Sequence, residues 1–226
     1  MTAGDSHFMN PAPDFNRLAR LYRWLEYFSF GPWLWRCRTH FLPQLACSCN
    51  ALILGDGDGR FTARVLRSNP RIAITAIDAS PQMIKSLQRA ATPHQSRLTT
   101  LVADIRTWRP TDSDQYDLIV THFFLDCLTT AEVAGLASRL TPVLAPDALW
   151  LVSEFATPPT LFGRTIAAPL VDFLYLAFRL LTNLRLKALP DYRQALVDAG
   201  WSLHVQHTHL HGLLVSQMWK HHSPQA

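Results

Sequence analysis

Residues 51–61 read ALILGDGDGRF. Four apolar residues, enough for a short buried strand, run into glycines at 55, 57 and 59 and then into a helical pattern ending near Asn69-Pro70. A glycine turn between strand and helix lets backbone approach a ligand closely, because no Cβ intervenes. In a doubly wound sheet, ligands sit beyond the carboxyl ends of the strands, near the first one. The spacing here is G-x-G-x-G. The dinucleotide turn is G-x-G-x-x-G, and Arg60 holds the place of its third glycine.

Outward from this turn, strand and helix patterns alternate. RIAITAID (71–78) reads as a strand, SPQMIKSLQRAA (80–91) as a helix capped by Ser80 with Pro81 in its first turn, and RLTTLVADI (97–105) and YDLIVTHFF (116–124) as strands. Thr129 and Glu132 have the spacing of a capping box for a helix to about 144, and ALWLVSEF (148–155) is a further strand. Strands apolar nearly throughout, joined by short helical crossovers, predict a parallel α/β sheet covered on both faces. Residues 189–200 form a helix stopped by Gly200, and the tail reads as two strands turning near His211-Gly212. Ahead of the turn, residues 14–28 carry an apolar stripe of helical period, and a second helix over 33–46 is opened by Gly31-Pro32.

The acids narrow the ligand. Asp56 and Asp58 inside the turn repel a pyrophosphate and suit a ligand carrying an ammonium and a sulfonium, which is S-adenosylmethionine. Asp78 closes the second strand, where a carboxylate accepts from both ribose hydroxyls; helix capping is the competing role. Asp104 closes the third, within reach of an adenine amino group. Ala79, Met83 and Ile105 flank the adenosine position, with helix core an equal role for Met83.

LILGDGDGRF, then AIDAS-PQMI, then VADI, then YDLIVTHFFLDCL together resemble the class I S-adenosylmethionine-dependent methyltransferases, in the group that includes quinone-biosynthesis and small-molecule enzymes. The resemblance covers about residues 50–155 well and the tail moderately. It implies a Rossmann-like seven-stranded sheet whose last strand, GLLVSQMWK, is antiparallel. It also implies S-adenosylmethionine bound by Gly55, Asp56, Gly57, Asp58, Gly59, Asp78, Ala79, Met83, Asp104, Ile105 and His122. One departure stands out: Ile53 lies two positions before the first glycine, where the family carries an acid, and Asp56 and Asp58 are the acids left to supply that charge.

His122 ends the fourth strand, where the resemblance places the methyl group, and is the candidate catalytic residue: a general base, a cofactor contact or a packed histidine. Phe123, Asp126 and Glu154 follow as candidate acceptor contacts, with packing or capping as alternatives. The stretch 160–184 is apolar around most of a helix, including Phe173. With Tyr22 of the aromatic first helix it forms an expected wall over the site, and burial in the core is its competing role. The expected organisation is one domain over 1–226: a helical cap (1–49), a cofactor-binding core (50–155), a helical insertion (156–188) and a C-terminal helix and hairpin (189–226).

The expected reaction is methyl transfer to a small apolar or aromatic acceptor, its identity and reacting atom open. A nicotinamide-dependent reductase fits the glycine spacing less well. A non-methylating binding module on the same fold rests on Ile53. The chain has 226 residues and a net charge of +4, with Arg17, Arg20, Arg23, Arg36 and Arg38 in its first forty positions. With no lysine run or RNA-binding motif, that charge reads as solvated surface rather than a nucleic-acid footprint. Cys37, Cys47, Cys49 and Cys127 lack metal or redox spacing. His207, His209 and His211 would share a strand face, but no cysteine or acid completes a ligand set, so no metal is expected. Pro169, Asp172 and Arg179 interrupt the apolar run at 166–181, which argues against a membrane span and leaves peripheral association open. The opening residues lack a secretory pattern, so the expected setting is the cytoplasm. Oligomeric state is left open.

Overall fold

The computed structural model describes residues 31–111, 114–156 and 190–222. The expected helix at 14–28 and the apolar stretch 160–184, with Tyr22 and Phe173, lie outside the described residues. Seven strands form one sheet in the order β3-β2-β1-β4-β5-β7-β6: β1 (Asn50–Leu54), β2 (Ala73–Asp78), β3 (Leu98–Val102), β4 (Tyr116–His122), β5 (Leu144–Phe155), β6 (Trp201–His209) and β7 (Leu214–His221). The first five are parallel, and β7 runs antiparallel between β5 and β6. This is the expected doubly wound sheet with its reversed last strand.

The sheet is covered on both faces, as its apolar strands require. Leu52 and Leu54 of β1 face one core with Ile119 of β4, against Val133, Leu136 and Leu140 of α4 (Thr130–Leu140) and Leu196 of α5 (Tyr192–Asp198). Ala51 and Ile53 face the other with Leu118 and Val120, against Phe61, Val65 and Leu66 of α2 (Arg60–Ser68) and Leu87 of α3 (Pro81–Ala90). The split follows the two-residue period of a strand. Ile53 is thus a core residue, 2% exposed.

Local signals set the helix ends. Ser80 Oγ accepts from Met83 N, and Thr129 and Glu132 form a reciprocal capping box. Gly200 ends α5 at φ +84°. The expected helix over 33–46 is two pieces, α1 (Gly31–Thr39) and a 3-10 turn at Leu42–Cys47; Pro43, which lacks an amide donor, falls at the break. Cys37 docks α1 on the sheet: its carbonyl accepts from Ser216 Oγ (2.7 Å) and Ser153 Oγ (3.4 Å), and its thiol donates to Val215 O. No described helix is long and apolar enough to cross a membrane.

Candidate functional site

The three turn glycines all lie in the left-handed region, at φ +66°, +64° and +78°, but for different reasons. A Cβ on Gly55 would sit 2.2 Å from the ring of Phe124, so this glycine lets the loop after β4 lie on the turn. A Cβ on Gly59 would sit 2.4 Å from Leu87 Cα, so this one lets α2 and α3 pack. A Cβ on Gly57 would meet nothing within 4 Å among the described residues beyond its two neighbours in the chain. Of the three, Gly57 alone leaves room, and it does so beside the carboxyl end of β2, where its amide bonds to Asp78.

Asp78 also accepts from Ser80 N at 2.8 Å. Burial pushes its carboxyl up to about 6, against those two amides. It is held rigidly with its charge only partly compensated, which suits a site that takes hydroxyl donors. Ala79 beside it is exposed, Met83 is half-buried, and Ile105 is buried across the end of β3.

The two turn aspartates are both engaged within the chain. Asp56 Oδ2 accepts from Thr62 N (2.9 Å) and Thr62 Oγ1 (2.7 Å), tying off the first turn of α2, whose N-cap glycine has no side chain to do so. Burial raises this carboxyl to about 6. Asp58 pairs with Arg60 Nε at 2.9 Å. Both carboxylates, expected to serve a cationic ligand, have partners within the chain: an Asp four residues before α2 reaches the amide of Thr62, and one two residues before Arg60 reaches its guanidinium. Asp104 is likewise engaged, with both oxygens on Arg106. That pair holds its carboxyl below the usual range and competes with an adenine contact.

The end of β4 is the most unusual part. His122 is buried, and both ring nitrogens lack a hydrogen-bond partner among the described residues. Its ring meets Phe61 edge-on at 4.5 Å. Burial, with the Arg38 charge, holds it well below the usual histidine range, so it is neutral. An unpartnered buried polar group costs about 1–3 kcal/mol. Phe123, next in the chain, has φ +53°, a strained value for an aromatic residue. Its amide bonds to Ser153 O at 2.7 Å, and its ring lies 5.2 Å from Phe155 and under the Arg38 guanidinium.

Glu154 shapes this loop from β5. Its Oε1 accepts from Phe124 N (3.1 Å) and Leu125 N (2.9 Å), while Oε2 has no partner among the described residues. Burial, then the nearby Asp126, pushes its carboxyl well up, which favours its neutral form. Asp126 is half-buried and accepts from Cys127 Sγ at 3.5 Å.

The structure therefore brings Gly55, Gly57, Gly59, Asp78, His122, Phe123, Phe124 and Glu154 to one end of the sheet. Sequence reasoning missed Arg38. Read as solvated charge, it is 7% exposed and acts electrostatically on both Asp56 and His122. Its only signal was its place beside Cys37, four residues from Leu34, on the apolar side of α1.

The fold is that of the class I S-adenosylmethionine-dependent methyltransferases, and it is the end of the sheet carrying the glycine turn that holds these groups. Within it, residues 52–150 match the family described as a methyltransferase domain. A stretch of 73 residues is 37% identical to a malonyl-[acyl-carrier protein] O-methyltransferase of Paenibacillus sp. (strain JDR-2), covering 31% of this chain and 26% of that relative. Among solved structures, an O-methyltransferase family protein from Burkholderia thailandensis superposes with a TM-score of 0.70 at 15% identity, over 94% of this chain and 62% of that one. The N-methyltransferase NodS from Bradyrhizobium japonicum WM9, in complex with S-adenosyl-L-homocysteine, superposes with a TM-score of 0.62 at 15% identity, over 90% and 98%. The chain thus spans about a quarter of the curated relative and under two thirds of the Burkholderia protein.

Proposed function

We propose that the protein is an S-adenosylmethionine-dependent methyltransferase acting on a small apolar or aromatic acceptor. The observation that carries this reading is the room left at Gly57 among the described residues, bordered by Asp78. The residues fit the group: Asp78 is placed to take ribose hydroxyls, and the amides of the glycine turn line its approach. Asp104, Ile105, Ala79 and Met83 border the adenosine position. S-adenosylmethionine, when bound, supplies a methyl group made electrophilic by the sulfonium.

The chain's own work is to align two reactants and exclude water, which supplies much of the rate in such displacements. His122 keeps a lone pair because burial disfavours its imidazolium; it accepts a hydrogen bond readily and holds a proton only briefly. Phe123 and Glu154 border the acceptor side with Asp126. Tyr22 and Phe173, from the aromatic stretch 14–28 and the apolar stretch 160–184, are the proposed walls. Their composition supports the apolar or aromatic acceptor class. The competing reading, a binding module without turnover, draws on the burial of Ile53 and the internal partners of Asp56 and Asp58. Calorimetric titration with S-adenosylmethionine, S-adenosylhomocysteine and NAD, run beside an assay of S-adenosylhomocysteine release over an acceptor panel, separates these readings. Binding with release supports the enzyme, and binding with no release across the panel supports the module. NAD binding alone overturns both.

A further inference from the structure

At the β6 edge of the sheet, three imidazoles converge. His40 follows α1, while His207 and His209 lie two apart on β6, on one face of the strand. Their candidate ligand nitrogens all lie within 4.8 Å of one another. His40 stacks on His207 at 4.1 Å between ring centroids, and His207 meets His209 at 4.7 Å. His211, expected on the same face, sits instead in the β6–β7 turn at φ +53°. The third ring comes from the end of α1, a partner that strand periodicity could not reveal.

We propose that His40, His207 and His209 form a binding site for a divalent first-row transition cation, with zinc as the occupant, that clamps the end of α1 to the β6–β7 hairpin. His209 is already oriented for this. Ser216 Oγ donates its proton to Cys37 O at 2.7 Å, so it accepts from His209 Nε2–H at 3.0 Å. That assignment follows from the hydrogen-bond network and leaves the lone pair on His209 Nδ1. A ligating histidine held through its other nitrogen is the common arrangement at metal sites. His209 is 9% exposed and held by Ser216, while His207 is exposed.

Three imidazoles without a carboxylate select zinc, nickel or copper over calcium or magnesium. Zinc–nitrogen bonds of about 2.0–2.1 Å require the nitrogens to draw together, which a rotation unstacking His40 from His207 accomplishes. Three protein ligands leave a fourth position for water. The cation would hold α1, whose Cys37 already bonds to β7 and whose Arg38 lies over Phe123. Its role is therefore to stiffen the cap rather than to take part in the reaction.

The test uses the full chain stripped of metal by a chelator and titrated with zinc chloride against a chromogenic competitor. The variants are His40→Ala, His207→Ala and, as a control on the same strand, His204→Ala. The expected result is one equivalent of zinc per chain at micromolar or tighter affinity, weakened at least about tenfold in each cluster variant and unchanged in His204→Ala. Saturating zinc should raise the melting temperature of the parent chain by about 5–10 °C and leave that of His207→Ala in place. Because His207 is exposed, that variant keeps its fold, and its melting temperature without metal should equal the parent's. Absence of saturable binding at about 100 µM zinc, or equal affinity in the parent and His207→Ala, overturns the proposal.

Discussion

Replacing Gly57 by Ala should separate binding from folding. The position lies at φ +64°, where an L-residue costs about 1–2 kcal/mol. The smaller unfolded-state entropy of Ala returns about 0.4–1 kcal/mol. Among the described residues no atom beyond the adjacent ones lies within 4 Å of the new methyl, so no packing penalty is added, and the net loss of stability should be about 1 kcal/mol. A bound cofactor lying against this turn would meet the methyl directly. Overfilling a fitted site costs about 1–3 kcal/mol, or roughly 5- to 150-fold in affinity. Gly59→Ala is the contrast: its methyl would lie 2.4 Å from Leu87 Cα at φ +78°. Strain and overpacking then sum to about 2–5 kcal/mol of stability. Urea unfolding gives the stabilities and calorimetry with S-adenosylhomocysteine the affinities. A folded Gly57→Ala protein that binds as tightly as the parent would refute the placement of the ligand at this turn.

Three further outcomes are expected. Cofactor affinity should be full above pH 6 and fall by up to about tenfold per unit below it, because ribose hydroxyls need the ionised Asp78, whose carboxyl is raised to about 6; titrations from pH 5 to 7.5 should show this slope and Asp78→Asn should flatten it. The Asp56 carboxyl is raised by burial from an ordinary 3.8 to about 6, so the folded protein holds its proton more tightly than the unfolded chain. Stability should therefore decline by about 2–3 kcal/mol as pH rises from 4 to 6 and then level, and Asp56→Asn should remove that part of the decline in unfolding curves. Glu154→Gln should be tolerated, since burial favours the neutral carboxyl and Oε1 survives, whereas Glu154→Ala strands two amides and should cost about 2–4 kcal/mol; equal melting temperatures for the two variants would contradict the buttress role.

The sequence alone determined the sheet and its punctuation, because those signals are local. Alternating apolar runs specify covered parallel strands, Ser80 and Thr129 cap helices through residues three positions away, and G-x-G-x-G marks the turn without reference to any distant group. It also placed His122 and Glu154 at strand ends, since a strand's end is legible once its core is. What each group faces was decided only by the tertiary structure. Asp56, Asp58 and Asp104 read as ligand groups, yet each is held by Thr62, Arg60 or Arg106. A short carboxylate satisfies the nearest donor, and choosing among donors needs coordinates. Arg38 passed for surface charge until α1 was docked through Cys37. His40 joins His207 and His209 only because the reversed β7 returns β6 to the helix that precedes β1. Sequence periodicity records which face of an element is buried, but the partner across that face is set by the packing of elements far apart in the chain.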